Sequence, residues 1–216
     1  MFRESLVRQD PFLAFHSLES NQGFMLYDTT GNRKYLTSAE RQAFLKAARA
    51  VEPKEETFAL ALAYTGARIS EILALTPRSI DFSLGGLVIR TLKRRRTDIF
   101  RVVPVPTGFL ERLNLVHEIK DKQTDAAQRD QRIWKWSRTT AWSRIKGLMR
   151  MAGVTGACAT PKGLRHGLGV VGTAEANVPL NVMQRWLGHA RIETTALYAQ
   201  AIGKEERALA SRTWPS

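Results

Sequence analysis

Along most of the chain apolar residues recur at three- and four-residue steps, and only between Ile80 and Pro106 do they gather into short, nearly continuous runs. In "TSAERQAFLKAARAV", Thr37 stands three residues before Glu40, a capping box that opens an amphipathic helix. A second helix begins near Pro53, a residue suited to a first helical turn, and runs through "EETFALALAYTG" until Gly66 ends it. A third, short helix is "ISEILALTP", stopped by Pro77. "GGLVIRTL" and "IFRVVPVP" are β-rich runs on either side of the basic string "KRRRTD", a β-hairpin or small sheet with a cationic turn. Helical spacing returns in "GFLERLNLVHEIK", "TTAWSRIKGLMRMAGV", "LRHGLGVVGTAEA", "PLNVMQRWLG" and "IETTALYAQA". The pattern predicts a mainly α chain with one small antiparallel β-sheet, an α+β arrangement.

Residues 1–34 mix short apolar runs with the turn-rich "YDTTGNRK" and read as an arm or linker; 35–202 form the main domain and 203–216 a tail. "DKQTDAAQRDQR" is a polar, exposed connection, and there is no internal repeat.

With 216 residues, 44% of them apolar, the chain can build an ordinary core. Charge changes the picture more: 33 Lys and Arg against 20 Asp and Glu leave a formal net charge of +13, which attracts a polyanion. Nucleic acid is the commonest such partner, the alternatives being an inert basic surface or membership of a larger assembly. Cys158 is the only cysteine, so no internal disulfide forms and the expected compartment is a reducing cytoplasm. The first residues do not read as a signal peptide, no run reaches membrane-spanning length, and His16, His117, His166 and His189 lack the paired spacing of a zinc site. No metal, cofactor or membrane contact is expected.

Several cations stand where structural need is weak. Arg68, in "TGARISE", follows a helix-ending glycine and can point into a cleft; Lys93 opens the hairpin turn of "TLKRRRTD". In "TPKGLRHGLG" a helix from Pro161 would put Lys162 and Arg165 on one face, with His166 next. "LGHARIETTALYA" adds His189 and Tyr198: with a helix starting near Ile192, Tyr198 lies on the side of Thr194 and Thr195, and the preceding loop can return His189 to it. Taken alone, that pair also reads as a buried aromatic with a histidine in the turn before it.

Together, two guanidiniums, a lysine, a histidine and a tyrosine suit attack on a phosphodiester by a phenol. A tyrosine with an ordinary pKa of about 10 needs a base or a positive field to act as nucleophile. Charge gathering on the non-bridging oxygens of the phosphorane suits two arginine forks, and a lysine can protonate the leaving 5′ oxygen.

The strings "ALAYTGARISEILAL", "PKGLRHGLG" and "WLGHARIETTALYA", in that order and with the Lys93 hairpin between the first two, resemble the catalytic domain of the tyrosine recombinase (phage integrase) family over about residues 35 to 202. The resemblance implies that Arg68 and Arg165 are the two catalytic arginines, that Glu71 supports the first, and that Lys93 is the general acid. It implies likewise that His189 is the last histidine and Tyr198 the nucleophile. Lys162 departs from the pattern, since most members carry His there. A fixed cation is expected to bind phosphate or stabilise the transition state rather than exchange protons. His166 is a packing or supporting residue. Arg94, Arg95 and Arg96 either contact the DNA backbone or solvate the turn. Trp134, Trp136 and Trp142, at irregular spacing, are expected in the core rather than stacked on bases.

The family reading carries further expectations. Double-stranded DNA is the partner, the tail packs on a neighbouring protomer in a homotetramer on DNA or else on its own domain, and an accessory DNA-binding protein or the oligomer supplies further contacts. Relatives carry another DNA-binding domain ahead of the catalytic one, so the sequence is either a small catalytic form or a piece of a longer product. The competing functions are a type IB topoisomerase-like enzyme and a DNA-binding protein that keeps the fold without catalysis.

Overall fold

The structure, a computed structural model, describes residues 26–91 and 99–199, with 210, 211, 213 and 214 of the tail. Among the described residues the order is α1 (Ser38–Ala48), α2 (Pro53–Thr65), α3 (Ile69–Leu73), a 3-10 turn (Pro77–Ser79), β1 (Ile80–Asp81), β2 (Gly86–Arg90) and β3 (Phe100–Pro104). Then come α4 (Thr107–His117), α5 (Ile119–Thr124), α6 (Arg138–Met151), α7 (Pro161–Val170), a π-helical turn (Val171–Glu175), α8 (Leu180–Leu187) and α9 (Glu193–Ala199).

Thr37 caps α1 as its sequence demands: its side chain accepts the Glu40 N–H at 3.2 Å, and the Glu40 carboxylate returns to the Thr37 N–H at 2.8 Å. Helix α2 is apolar almost all round and is correspondingly buried all round, from Glu56 to Ala63. It is the axis of the main core, in which Phe44, Phe58, Leu62, Ile72, Leu113, Ile145 and Leu164 pack with the inner face of the sheet. Trp134 belongs to this core: its ring lies edge-on to Phe58 at 5.4 Å and to His117 at 5.3 Å, and its indole N–H donates to the Lys54 carbonyl at 3.0 Å. Trp136 is half-buried against Phe58, whereas Trp142 is exposed, contrary to its expected place in the core. On the outer side of α6 the Lys146 ammonium lies 5.8 Å from its ring.

The sheet is antiparallel in the order β1-β2-β3, with Leu87 opposite Val103 and Ile89 opposite Arg101. Pleating puts Arg101 on the same inward face as Val103, so the sheet buries a cation.

Three elements differ from the sequence reading. Helix α3 lasts five residues, because the chain turns at Ala74 to bury Leu75 before Pro77 starts the 3-10 turn. The run "GFLERLNLVHEIK" breaks at Glu118, left-handed at φ 55°, whose N–H caps the Asn114 carbonyl at 2.8 Å while Ile119 enters the core. The helix begun by α7 widens into the π turn, where the Thr173 hydroxyl donates to the Gly169 carbonyl at 2.8 Å. In addition, the described end of the segment read as an arm folds onto the domain. Asp28 closes a turn, Tyr27 bridges to Arg33, and Leu26 and Tyr35 are buried in a second apolar cluster with Val170, Met183, Leu187 and Tyr198.

Candidate active site

The site forms where the ends of α2, α7 and α8 meet. Helix α2 stops at Gly66, and Arg68, in extended conformation, caps α3. The Arg68 N–H donates to Glu71 Oε2 and its guanidinium to Glu71 Oε1, both at 2.9 Å, so one carboxylate holds backbone and side chain together. Arg68 remains 32% exposed in its side chain while Glu71 is buried, which leaves the guanidinium able to meet a ligand. Burial pushes the Glu71 carboxyl up, yet the charge and hydrogen bond of Arg101, followed by those of Arg68, outweigh it and keep the carboxylate ionised below its ordinary range.

Helix α7 starts at Pro161, with the Thr160 hydroxyl accepting the Gly163 N–H at 2.9 Å. Arg165, one turn in, is buried and donates to the Gly66 and Leu187 carbonyls, each at 2.7 Å. It ties together the two chain turns that carry Arg68 and His189. Burial first, and the nearby Arg68 charge second, lower its pKa to about 10, which leaves it cationic at neutral pH.

His189 follows Gly188 at the end of α8; its Nδ1 and the Thr195 hydroxyl on α9 are 3.0 Å apart. Its ring stacks on Tyr198 at a centroid distance of 5.9 Å. Burial and the charges of Arg165 and Arg68 hold it neutral, with a pKa down to about 3.

Tyr198 is fully buried. Its hydroxyl shares a 3.0 Å hydrogen bond with His166 Nδ1, the donor being fixed by the imidazole tautomer. His166 therefore touches the hydroxyl itself, a contact that the packing-or-supporting reading of its sequence position did not specify. Burial, with the Lys162, Arg165 and Lys34 charges, keeps His166 neutral, its pKa down to about 3. Burial likewise pushes the Tyr198 phenol up to about 12, against the opposing influence of Arg165 and Arg68. The aromatic ring sits against Gly169 of α7, where a Cβ would lie 2.4 Å from a ring carbon.

Lys162 stays exposed at the start of α7 while Arg165 turns inward, so the two cations reach the site from different depths. Lys93, Arg94, Arg95 and Arg96 lie outside the described residues. The described residues on either side of them lie beside the site, where the Thr91 N–H donates to the Ile99 carbonyl at 2.9 Å. A cleft of about 230 Å³ there is lined by Thr91, Arg101, Gln184, Arg185 and His189. Sequence reasoning missed Arg101 and Gly169. The strand alternation of "FRVVP" carried a signal for Arg101, a charge in step with buried Val103; Gly169 had none. Among the described residues no group of three or more His, Cys, Asp or Glu could hold a metal ion, and no helix is long and apolar enough to cross a membrane.

Residues 34–205 match the model of the phage integrase family. Among curated proteins the chain is 28% identical over 170 residues to the tyrosine recombinase XerA of Thermococcus onnurineus, a match covering 77% of this chain and 58% of that protein. It is 25% identical over 191 residues to the tyrosine recombinase XerD of Haemophilus influenzae, covering 84% and 63%. The chain thus spans less than two thirds of the length of these relatives. Among solved structures, its fold is similar to that of the XerA recombinase, with a TM-score of 0.64 at 23% identity, covering 84% of this chain and 65% of that one. It is also similar to the XerH site-specific recombinase in a post-cleavage complex with a palindromic difH substrate, with a TM-score of 0.68 at 16% identity, covering 97% and 74%.

Proposed function

Since the chain belongs to the phage integrase family, we propose that it is the catalytic part of a site-specific DNA recombinase that cuts and rejoins duplex DNA through a 3′-phosphotyrosine on Tyr198. The observation that supports this most is the convergence of Arg68, Arg165, His166 and His189 on one phenol, with both arginine charges favouring its ionised form. The Tyr198 oxygen attacks the scissile phosphorus, the bond to the 5′ oxygen breaks, and the phenolic proton passes to a neighbouring base. Arg68 and Arg165 hold the non-bridging oxygens as charge accumulates, and His189 donates a further hydrogen bond. Lys93 protonates the departing 5′ hydroxyl. Lys162, a fixed cation at the rim, draws in phosphate. The phosphotyrosine link conserves the energy of the broken bond, so a 5′ hydroxyl from another strand reseals it without ATP.

In the free protein the phenol is sealed from solvent, so DNA engagement has to bring it to the phosphate. The net charge of +13 suits the polyanion, and affinity should fall with salt at a log–log slope of about −0.9 per phosphate neutralised. The natural setting of this reading is a cytoplasmic homotetramer on two duplexes, with an accessory protein or additional domain completing the DNA clamp, acting in integration, excision or resolution of a mobile element or plasmid.

The test is covalent trapping. Wild type is incubated with nicked genomic fragments and denatured, and protein-linked DNA is sequenced. Links at one recurring sequence are the expected result. Links spread over all sequences would replace recombination with a topoisomerase-like relaxation, and no links would reduce the protein to a DNA-binding role.

A further inference from the structure

Arg101 uses every arm of its guanidinium. Nη2 donates to Glu71 Oε2 at 2.6 Å, Nη1 to the Thr91 hydroxyl at 2.9 Å, and Nε to the Trp186 carbonyl at 2.8 Å. The group is buried against the turn before His189, so closely that a Cβ on Gly188 would lie 3.0 Å from its Cζ and Nη1. Three chain segments therefore end on one side chain: the carboxylate that grips Arg68, the last described residue of β2's strand line, and the C-terminal turn of α8. Arg101 faces Glu71 and, further off, the Arg165 cation and the neutral His189 ring. A core cation needs one carboxylate for neutrality; a fork spread over three segments does more, because it fixes their mutual distance.

We infer that Arg101 is a positioning residue for the strand-transfer reaction, holding Arg68 through Glu71 and His189 through the Trp186–Gly188 turn at the separation the phosphate requires. Resting on the function proposed above, this assignment adds to the reaction a residue that never touches DNA. It acts by geometry: an arginine misplaced by about 1 Å costs on the order of 100-fold in rate while leaving a ground-state complex intact. The distinction from a merely structural role is that a lysine at 101 keeps the charge opposite Glu71 and loses only the fork.

The experiment compares wild type, Arg101→Lys and Arg101→Gln by two readouts. In the free proteins, the ring resonances of His189 and the guanidinium resonances of Arg68 are recorded beside those of His117, which lies in the main core and reports intact folding. The expected result is displaced His189 and Arg68 signals with His117 unchanged in the lysine variant. Unmoved His189 and Arg68 signals in both variants would overturn the assignment. In the second readout, the duplex that wild type captures covalently is used for single-turnover cleavage. Arg101→Lys should bind it as wild type does and cleave it about 100-fold more slowly. A 5′-bridging sulfur, which makes the leaving group independent of a proton donor, should not restore the rate. Full restoration by sulfur, or cleavage at the wild-type rate, would overturn the positioning of Arg68. Failure of wild type to form any adduct would instead fault the proposed function, and the resonance readout would still decide the positioning of the two side chains.

Discussion

The α2-centred core and the pocket around Tyr198 are both buried, but they are built from opposite materials. Around α2 nearly every contact is apolar, and the few polar groups are paired, as Glu56 is with Arg112 at 2.7 Å and His117 with the Thr57 hydroxyl at 2.8 Å. Around Tyr198 the apolar cluster is small, and Arg165, Arg101, Glu71, His166 and His189 are enclosed with the phenol. Enclosing so many polar groups is costly unless each is held by hydrogen bonds, and the carbonyls of Gly66, Trp186 and Leu187 supply them. The first region makes the fold stable; the second uses that stability to keep charged and polar groups in a fixed array.

Substitutions in the two regions should separate these roles. Phe58→Ala, which removes a ring touching both Trp134 and Trp136, should cost about 3–5 kcal/mol in chemical denaturation, the range for an aromatic deleted from a core. If the variant keeps wild-type stability, α2 is not the axis of the core. Acid should act on both regions through their neutral histidines. For His117 the folded pKa of about 4 lies below the ordinary 6.5, so the unfolded chain binds more protons between these values. The stability it contributes is complete above pH 6.5 and is lost as pH falls toward 4, on the order of 3 kcal/mol. His117→Gln should flatten that part of the pH–stability curve; an unchanged slope would mean that His117 is not buried in neutral form.

The smallest stability change is expected beside Tyr198. Gly169→Ala inserts a methyl group into the Tyr198 ring, and overpacking of this kind costs about 1–3 kcal/mol. The ring should leave its seat, seen as increased reactivity of Tyr198 toward a tyrosine-modifying reagent in the absence of DNA. Equal modification in wild type and variant would show that Gly169 does not hold the phenol in place.

The two regions also differ in how far they could be read from sequence. Periodicity, the Thr37–Glu40 capping box and Pro53 announce the helices of the core, because those signals are local. Arg68, Arg165, His189 and Tyr198 were recognisable as a set through motifs in a characteristic order. Their contacts were not: His166 against the Tyr198 hydroxyl, Arg165 on two helix-end carbonyls and Arg101 on Glu71 join residues far apart in the chain. The break at Glu118 leaves no mark in the sequence because Asn114, Glu118 and Ile119 satisfy a helical pattern until packing selects the turn. Residue type and spacing do not tell Trp142 from its buried neighbour Trp134; its place on the outward side of α6 leaves it exposed.

The central claim is that Tyr198 carries the DNA strand. Its most direct test is peptide mapping of the covalent adduct after nuclease trimming, in wild type and in Tyr198→Phe. The account predicts a nucleotide remnant esterified to Tyr198 through a 3′ phosphate, a free 5′ hydroxyl on the released strand, and no adduct in the phenylalanine variant. A remnant on any other side chain, or an adduct that survives Tyr198→Phe, would contradict it.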